Sequence, residues 1–157
     1  MAKKKKSGNL EIKNRKAAFE YKFLETFEAG IKLFGTEIKA IRGGFANLND
    51  AYCVFMDDEL WAKSMFIGEY SHGNIFNHET RRDRKLLLHR KELKKLEKKT
   101  KEKGFSIVPY RLYLNERGYA KLEIHLATGK KSYDKRETLK AKDNKRDLDR
   151  VKKDFNH

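Results

Sequence analysis

The chain has 157 residues, with 38 Lys or Arg against 23 Asp or Glu, which gives a formal net charge of +15 at pH 7. This length fits one domain with a single apolar core, and so large a positive excess predicts a polyanionic partner. The sequence contains no apolar run near the roughly 18 residues of a membrane span and no apolar segment after its basic start, so we expect RNA or DNA and not a membrane as the partner. It has only one cysteine, so we expect no internal disulfide and a location in the cytoplasm.

The chain begins with a basic segment, residues 1–13, that we expect to be a flexible arm. From residue 17 to residue 33, apolar side chains occupy the odd positions except Glu25, and mostly polar ones occupy the even positions. This period of two predicts one long strand, which must curve to keep one face buried. Gly30 lies within it and is a natural place for a bend or bulge.

The elements predicted after this strand have glycine or polar boundaries. In chain order they are a helix over residues 36–42 with Thr36 as its N-cap, a hairpin of strands 51–56 and 60–67, a polar loop over 68–83, the longest helix over 85–103, and strands 105–114 and 119–127. Long antiparallel strands with few helices predict a mainly β chain with flanking helices, in a closed or nearly closed antiparallel barrel of the oligonucleotide-binding (OB) type over residues 14–128. Residues 129–157 are predicted to form a basic C-terminal tail outside it.

The sequence offers no pattern for catalysis, a cofactor or a metal. Its histidines are scattered, Cys53 has no Cys-x-x-Cys partner, and its glycines form neither a dinucleotide motif nor a phosphate loop. Glu37, Asp50 and Glu79 lie among Lys and Arg, for which ordinary surface ion pairs are the better interpretation. We therefore expect no enzymatic activity, no cofactor and no metal ion.

The basic segment over residues 81–103 is the strongest local signal for a nucleic-acid partner. Its C-terminal half mixes Glu and Lys, which is typical of a solvated helix face. In its N-terminal half, basic residues surround three consecutive leucines, more than one core-facing stripe can use. We therefore expect one leucine and His89 to face RNA. The other residues expected on the basic RNA-binding surface are Asn14, Arg15, Lys16, Lys39, Arg42, Arg84 and Lys85.

Five long motifs resemble the family of SsrA-binding proteins, also called small protein B. They are NRKAAFEY (14–21), FEAGIKLFGTEIKAIRGG (27–44), NLNDAY (47–52), RDRKLLLHRKEL (82–93) and LATGKKSYDKR (126–136), in the family's order and at its spacing. The resemblance implies an OB-related barrel that binds the tRNA-like domain of transfer-messenger RNA, where it takes the place of the missing anticodon stem. It also implies delivery of that RNA to stalled ribosomes for trans-translation, in which incomplete peptides are tagged for proteolysis.

The resemblance further implies roles for individual residues. Glu28 resembles the family's acidic residue needed for RNA binding, and Leu87 and His89 resemble the pair that meets the RNA elbow. Lys130 and Lys131 match a motif associated with RNA engagement. The tail residues expected at the ribosomal decoding centre and along the mRNA path are Tyr133, Asp134, Lys135, Arg136, Leu148 and Val151.

The tail after residue 129 carries eleven Lys or Arg against six Asp or Glu and few apolar residues. We expect it to be disordered in the free protein, which we expect to be a monomer, and helical on the ribosome, because it contains good helix formers and no proline. Two alternatives stay open, a constitutive ribosomal protein and a small RNA-processing enzyme. The second is less favoured because no positioned base and nucleophile are visible.

Overall fold

Seven antiparallel strands form the main sheet of the protein, whose computed structural model describes residues 10–71, 77–130 and 132–155. In chain order the elements are β1 (Glu11–Lys13), α1 (Arg15–Glu20), β2 (Tyr21–Ile31), α2 (Gly35–Arg42), β3 (Ala46–Asn47), β4 (Tyr52–Met56), β5 (Glu59–Lys63), β6 (Phe66–Ile67), β7 (Arg84–Leu87), α3 (Arg90–Thr100), β8 (Phe105–Leu114), β9 (Ala120–Gly129) and α4 (Ser132–Phe155). The chain is mainly β with flanking helices, which confirms that part of the predicted fold class.

The strand pairing closes on itself. The order along the sheet is β1-β8-β4-β5-β7-β2-β9, and β9 also pairs with β8, so six strands form a ring to which β1 is added. β8 and β9 pair along nearly their whole length, whereas β4 and β8 share the single pair Cys53–Ile107. The largest aliphatic side chains buried in the core between the strands and helices are Ile41, Leu48, Leu60, Ile67, Leu86, Leu96, Leu112, Leu122 and Ile124.

The long strand predicted from residue 17 begins only at Tyr21, because α1 precedes it. The side-chain Oδ1 of Asn14 accepts a hydrogen bond from the Ala17 amide at 3.1 Å, which caps the first turn of α1. Ala17 and Phe19 lie at odd positions, so a six-residue helix here also fits a period of two. The N-cap residue Asn14 is the sequence feature that distinguishes a helix from a strand at this position.

Two other local predictions at this end of the chain are wrong. The last residues of the predicted flexible arm form β1, in which Ile12 pairs with Leu112 of β8, while residues 1–9 lie outside the described residues. The bulge in β2 lies at Leu24, where the register to β9 shifts. Gly30, predicted as the place of a bend or bulge, has no bulge and is paired in regular register with both neighbouring strands.

The helix predicted over residues 85–103 is wrong in its first part. Residues 84–87 form β7, which pairs with β5 and β2, and α3 begins at Arg90. The strand alternation separates the leucines: Leu86 is buried in the core, Leu87 points outward with 51% of its surface exposed, and Leu88 packs partly against the core. Consecutive leucines that could not all face the core from one side of a helix are therefore placed on the two faces of a strand.

The predicted hairpin is confirmed as β4–β5, but its second predicted strand, 60–67, is divided into β5 and β6, and β6 pairs with β3; the predicted strands 105–114 and 119–127 form a second hairpin, β8–β9. The first turns through Asp57 and Asp58, both with positive φ, as a two-residue hairpin turn requires. The predicted short helix is α2, but its N-cap is Phe34 and not Thr36. The side chain of Glu37 accepts the Phe34 amide at 2.9 Å, so the cap contact comes from the third helical residue.

The tail forms a single 24-residue helix, α4. Its charged residues are distributed around the helix, and the described part of α4 is largely exposed. The predicted difference between a free and a ribosome-bound tail stays a prediction.

None of the helices described is long and apolar enough to cross a membrane.

Candidate nucleic-acid interface

Three residues that sequence reasoning assigned to RNA binding line one open cleft. Its volume is about 610 Å³, and it lies between β2, the β7–α3 junction and β9. The residues that line this cleft, which we call the Glu28 cleft, are Thr26, Phe27, Glu28, Gly30, Leu87, Leu88, His89, Glu92 and Lys121. Glu28 is far from Leu87 and His89 in sequence, and the pairing of β2 with β7 brings it close to them.

The exposed position of Leu87 depends on its strand partner. Gly30 is directly opposite Leu87, and a Cβ on Gly30 would lie 3.3 Å from the Leu87 Cβ. Because such a contact is tighter than usual, a glycine is what allows Leu87 to lie close against β2. His89 follows in extended backbone as the N-cap residue of α3, and its side chain makes no capping hydrogen bond. Leu87 and His89 therefore present an apolar surface and an exposed imidazole beside the cleft.

Among the described residues, the carboxylate of Glu28 is held by the Tyr113 hydroxyl and forms no ion pair. Glu28 is opposite Glu123 in the β2–β9 register, an arrangement of like charges that disfavours pairing. Arg111 forms an ion pair with Glu123 at 3.3 Å, which compensates that charge. Partial burial and a hydrogen bond to Glu28 raise the pKa of Tyr113 to about 12, so its hydroxyl remains a donor at neutral pH. The carboxylate oxygens of Glu28 have further lone pairs that can accept hydrogen bonds from a partner.

Strand β9 contributes a second set of polar side chains beside Glu28. The Nδ1 of His125 shares a hydrogen bond with the Thr26 hydroxyl at 3.2 Å, and its Nε2 shares one with the Glu123 carboxylate at 3.1 Å. The His125 ring stacks on Phe23 with 4.1 Å between the ring centroids. Lys121 is opposite Gly30 and lines the cleft. Sequence reasoning missed Lys121 and Tyr113. The alternation of β9 indicates which of its residues face outward, but only the register to β2 places them beside Glu28.

The predicted basic residues divide into exposed and neutralised groups. Arg15, Lys16, Lys39 and Arg42 are exposed, and none forms an ion pair within the part of the chain that is described. The Nζ of Lys39 lies 5.2 Å from the ring centroid of Tyr70. Lys85 is different, because its Nζ is 2.8 Å from a carboxylate oxygen of Glu59. Four exposed cations are available to phosphate, and Lys85 is already paired.

The prediction that Arg84 binds RNA is wrong. Arg84 is completely buried, and its guanidinium bonds to the carboxylate of Glu37 and to the backbone oxygens of Met65 and Thr80. Burial alone would raise the pKa of Glu37, but hydrogen bonds from the Phe34 amide and from the guanidinium groups of Arg82 and Arg84 outweigh it and hold that pKa below its ordinary value. Glu37 is thus a buried anion and not part of a surface ion pair.

The prediction for Asn14 is also wrong. Its side-chain nitrogen donates to the Leu48 carbonyl at 2.9 Å and to the Pro109 carbonyl at 3.1 Å, and the residue is buried. Asn14 therefore joins α1 to two other segments of the body.

The surface ion pair predicted for Asp50 is confirmed, with Arg81 at 3.5 Å.

The GKK motif is anchored to α1. The Lys130 amide donates to the Glu20 carbonyl at 2.9 Å, and its Nζ donates to the Ala18 carbonyl at 3.1 Å. One turn into α4, the Lys135 Nζ lies 5.9 Å from the ring centroid of Phe19. Lys131 lies outside the described residues, as do the side chains of Tyr133, Asp134 and Val151. Arg136 and Leu148 are exposed on α4.

The described residues of the site supply groups that suit binding. Within the described ranges, no group of three or more His, Cys, Asp or Glu is placed to hold a metal ion. Burial raises the pKa of the Cys53 thiol, so this cysteine is a neutral core residue at physiological pH. The chemistry available at the Glu28 cleft is hydrogen bonding, apolar contact and charge.

Comparisons with known proteins show one family relationship along most of the chain. The family model for SmpB protein matches residues 11–154. A protein named SsrA-binding protein from Phocaeicola vulgatus is 57% identical over 142 residues, covering 90% of this chain and 95% of the relative. One of the same name from Cytophaga hutchinsonii is 57% identical over 144 residues, covering 92% and 94%.

A solved structure is similar as well. It is described as "tmRNA-SmpB: a journey to the center of the bacterial ribosome", and one of its chains superposes with a TM-score of 0.66 and 45% sequence identity. The match covers 78% of this chain and 86% of that chain.

Proposed function

The chain belongs to the SmpB protein family, and we propose that it binds the tRNA-like domain of transfer-messenger RNA and delivers it to stalled ribosomes for trans-translation. The observation that carries the proposal for the site is the Glu28 cleft, where Glu28, Leu87 and His89 meet. In this role the protein stands in for the anticodon stem that the RNA lacks. It makes and breaks no covalent bond, and it acts in the cytoplasm as a monomer.

The chemistry of the Glu28 cleft suits an RNA elbow with unstacked bases. Glu28 accepts hydrogen bonds from base edges or ribose hydroxyls, while the Tyr113 hydroxyl holds its carboxylate in place. Leu87 packs on a base or sugar, and His89 stacks on a base or bonds to it. Lys121 supplies the positive charge that a nearby phosphate requires. Arg15, Lys16, Lys39, Arg42, Lys85, Lys130 and Lys131 extend the basic surface.

We further propose that the ring of six strands over residues 14–128 is an OB-like barrel. The mutual pairing of β8, β4, β5, β7, β2 and β9 supports this description, as does the core enclosed between them. OB folds bind nucleic acid on an outer strand surface framed by loops. The Glu28 cleft lies on the outside of β2 and β9, where such a surface is expected.

In the same proposal the C-terminal tail contacts ribosomal RNA at the decoding centre. α4 extends along the mRNA path of the small ribosomal subunit and begins at a hinge, the GKK motif. The residues proposed to engage the decoding centre are Tyr133, Asp134, Lys135, Arg136, Leu148 and Val151. The exposure of Leu148, 63%, supports this role because this apolar side chain has no cover among the described residues.

The test is an affinity comparison between three RNAs: the tRNA-like domain of transfer-messenger RNA, bulk tRNA and ribosomal RNA. The salt concentration is raised until non-specific phosphate binding is suppressed. We expect clear preference for the first RNA and loss of that preference in the double variant Leu87→Ala and His89→Ala. Equal affinity for all three RNAs would refute the proposal and favour a constitutive ribosomal protein.

A further inference from the structure

A second cleft lies beside the Glu28 cleft. The two share Gly30, Leu87 and Lys121. The second, which we call the Tyr119 cleft, has a volume of about 520 Å³ and lies between β2, α2 and the turn that joins β8 to β9. Its floor is aliphatic, and it includes Ile31 and Ile38, which pack partly against the core. An apolar floor that continues the proposed RNA surface is a candidate for a further part of that surface.

The rim of the Tyr119 cleft carries one aromatic ring and three cations. Tyr119 has 65% of its surface exposed, one of the highest values among the large apolar side chains described. Arg42, Arg117 and Lys121 line the cleft, and no acidic residue does. Among the described residues none of these three cations has a carboxylate within ion-pair distance, in contrast to Lys85. The cleft therefore offers a flat apolar surface next to uncompensated positive charge, which is complementary to a nucleotide.

The turn that presents Tyr119 is rigidly built. The side-chain Oδ1 of Asn115 accepts the amides of Arg117 at 3.1 Å and Tyr119 at 2.9 Å, and the Asn115 amide donates to the Tyr119 carbonyl at 2.9 Å. Gly118 has a φ of 82°, which a side chain disfavours, and a Cβ there would lie 3.7 Å from a guanidinium nitrogen of Arg42. A turn fixed in this way lowers the entropy lost when the aromatic ring binds a ligand.

We propose that the Tyr119 cleft binds one unpaired nucleotide of transfer-messenger RNA, adjacent to the RNA segment at Leu87 and His89. Its base stacks on Tyr119 over the aliphatic floor, and Arg42 and Arg117 hold its phosphate. The proposal rests on the proposed function and adds to it a contact outside the Glu28 cleft. It makes Leu87 the boundary between two neighbouring nucleotide positions.

The test compares variants of the full chain in binding to the tRNA-like domain of transfer-messenger RNA. We expect Tyr119→Ala to lower the affinity about tenfold, because base stacking on an aromatic side chain is worth about 1–3 kcal/mol. Tyr119→Phe is the matched control and is expected to bind like wild type, because stacking needs the ring and not the hydroxyl. Arg117→Ala should reduce the salt dependence of binding by about one phosphate contact. Lys98→Ala, an exposed cation on α3, should leave it unchanged.

A second arm uses RNAs that carry a single abasic nucleotide at each unpaired position in turn. At one position the abasic RNA should bind wild type and Tyr119→Ala equally, since the ring then has no base to stack on. If Tyr119→Ala binds like wild type, or if no abasic position removes the difference, the inference is overturned and a protein partner becomes the better occupant. If wild type itself shows no preference for this RNA, the proposed function fails instead. Circular dichroism melts check that each variant is folded.

Discussion

Replacement of Arg84 by methionine separates a structural arginine from an RNA-binding one. Arg84→Met keeps the aliphatic stem but leaves Glu37 buried with one guanidinium fewer. Breaking a buried ion pair from one side costs about 3–5 kcal/mol. The Arg82 guanidinium remains 2.6 Å from Glu37, so we expect the lower end, about 3 kcal/mol. For a domain of this size that lowers the unfolding midpoint by about 6–12 °C.

The assay pairs urea unfolding with RNA titration over a range of salt concentrations. After correction for the folded fraction, Arg84→Met should bind RNA with wild-type affinity and wild-type salt dependence. Arg42→Met is the matched control, because this exposed arginine has no ion-pair partner among the described residues. We expect it to leave stability within about 0.5 kcal/mol and to reduce the salt slope by about 1. A wild-type stability for Arg84→Met, or a reduced salt slope, would refute the structural role assigned to Arg84.

Glu28→Gln removes the charge of the cleft carboxylate but keeps its shape, and we expect about tenfold weaker RNA binding in filter assays with an unchanged melting midpoint. Gly30→Ala places a Cβ 3.3 Å from the β7 leucine, so RNA binding should weaken, whereas Gly35→Ala, with no atom within 4 Å, should not change it. Truncation after Tyr133 should preserve RNA affinity and abolish peptide tagging in cell-free translation; loss of both would contradict the division between body and tail. Because the pKa of Glu37 is lowered on folding, its contribution to stability is complete above about pH 4.5 and is lost as pH falls through the folded pKa. The difference in unfolding free energy between wild type and Glu37→Gln should therefore shrink in acid, and a constant difference down to pH 3 would be inconsistent with a paired carboxylate.

Elements whose signals are local could be predicted from the sequence. The β4–β5 and β8–β9 hairpins follow from alternation on either side of a short polar turn, and both halves of that signal lie within a few residues. β7 could not be predicted in this way because it is only four residues long and runs into a helix with similar composition. Its identity as a strand depends on pairing with β2 and β5, which are distant in sequence.

The basic surface shows a similar limit. Arg84 and Arg42 both lie in basic, motif-bearing segments, and nothing in their neighbours distinguishes them. Glu37, which neutralises Arg84, is 47 residues away in sequence. Leu87 and His89 are exposed, at a strand end and not on a helix as expected, and their contact with RNA stays a prediction. Lys121 enters the Glu28 cleft only through the β2–β9 register.

The attachment of the tail at Lys130 has a mechanical consequence. The body holds Lys130 through two hydrogen bonds to the end of α1, and α4 starts two residues later as 24 residues of helix. At 1.5 Å per residue this helix is about 36 Å long, so a rotation of about 10° at its base moves its tip by about 6 Å. Because Asn14 fixes α1 to the body, the orientation of α4 depends on how α1 is held. A small change in the angle between α1 and α4 therefore produces its largest displacement at the distant end of α4.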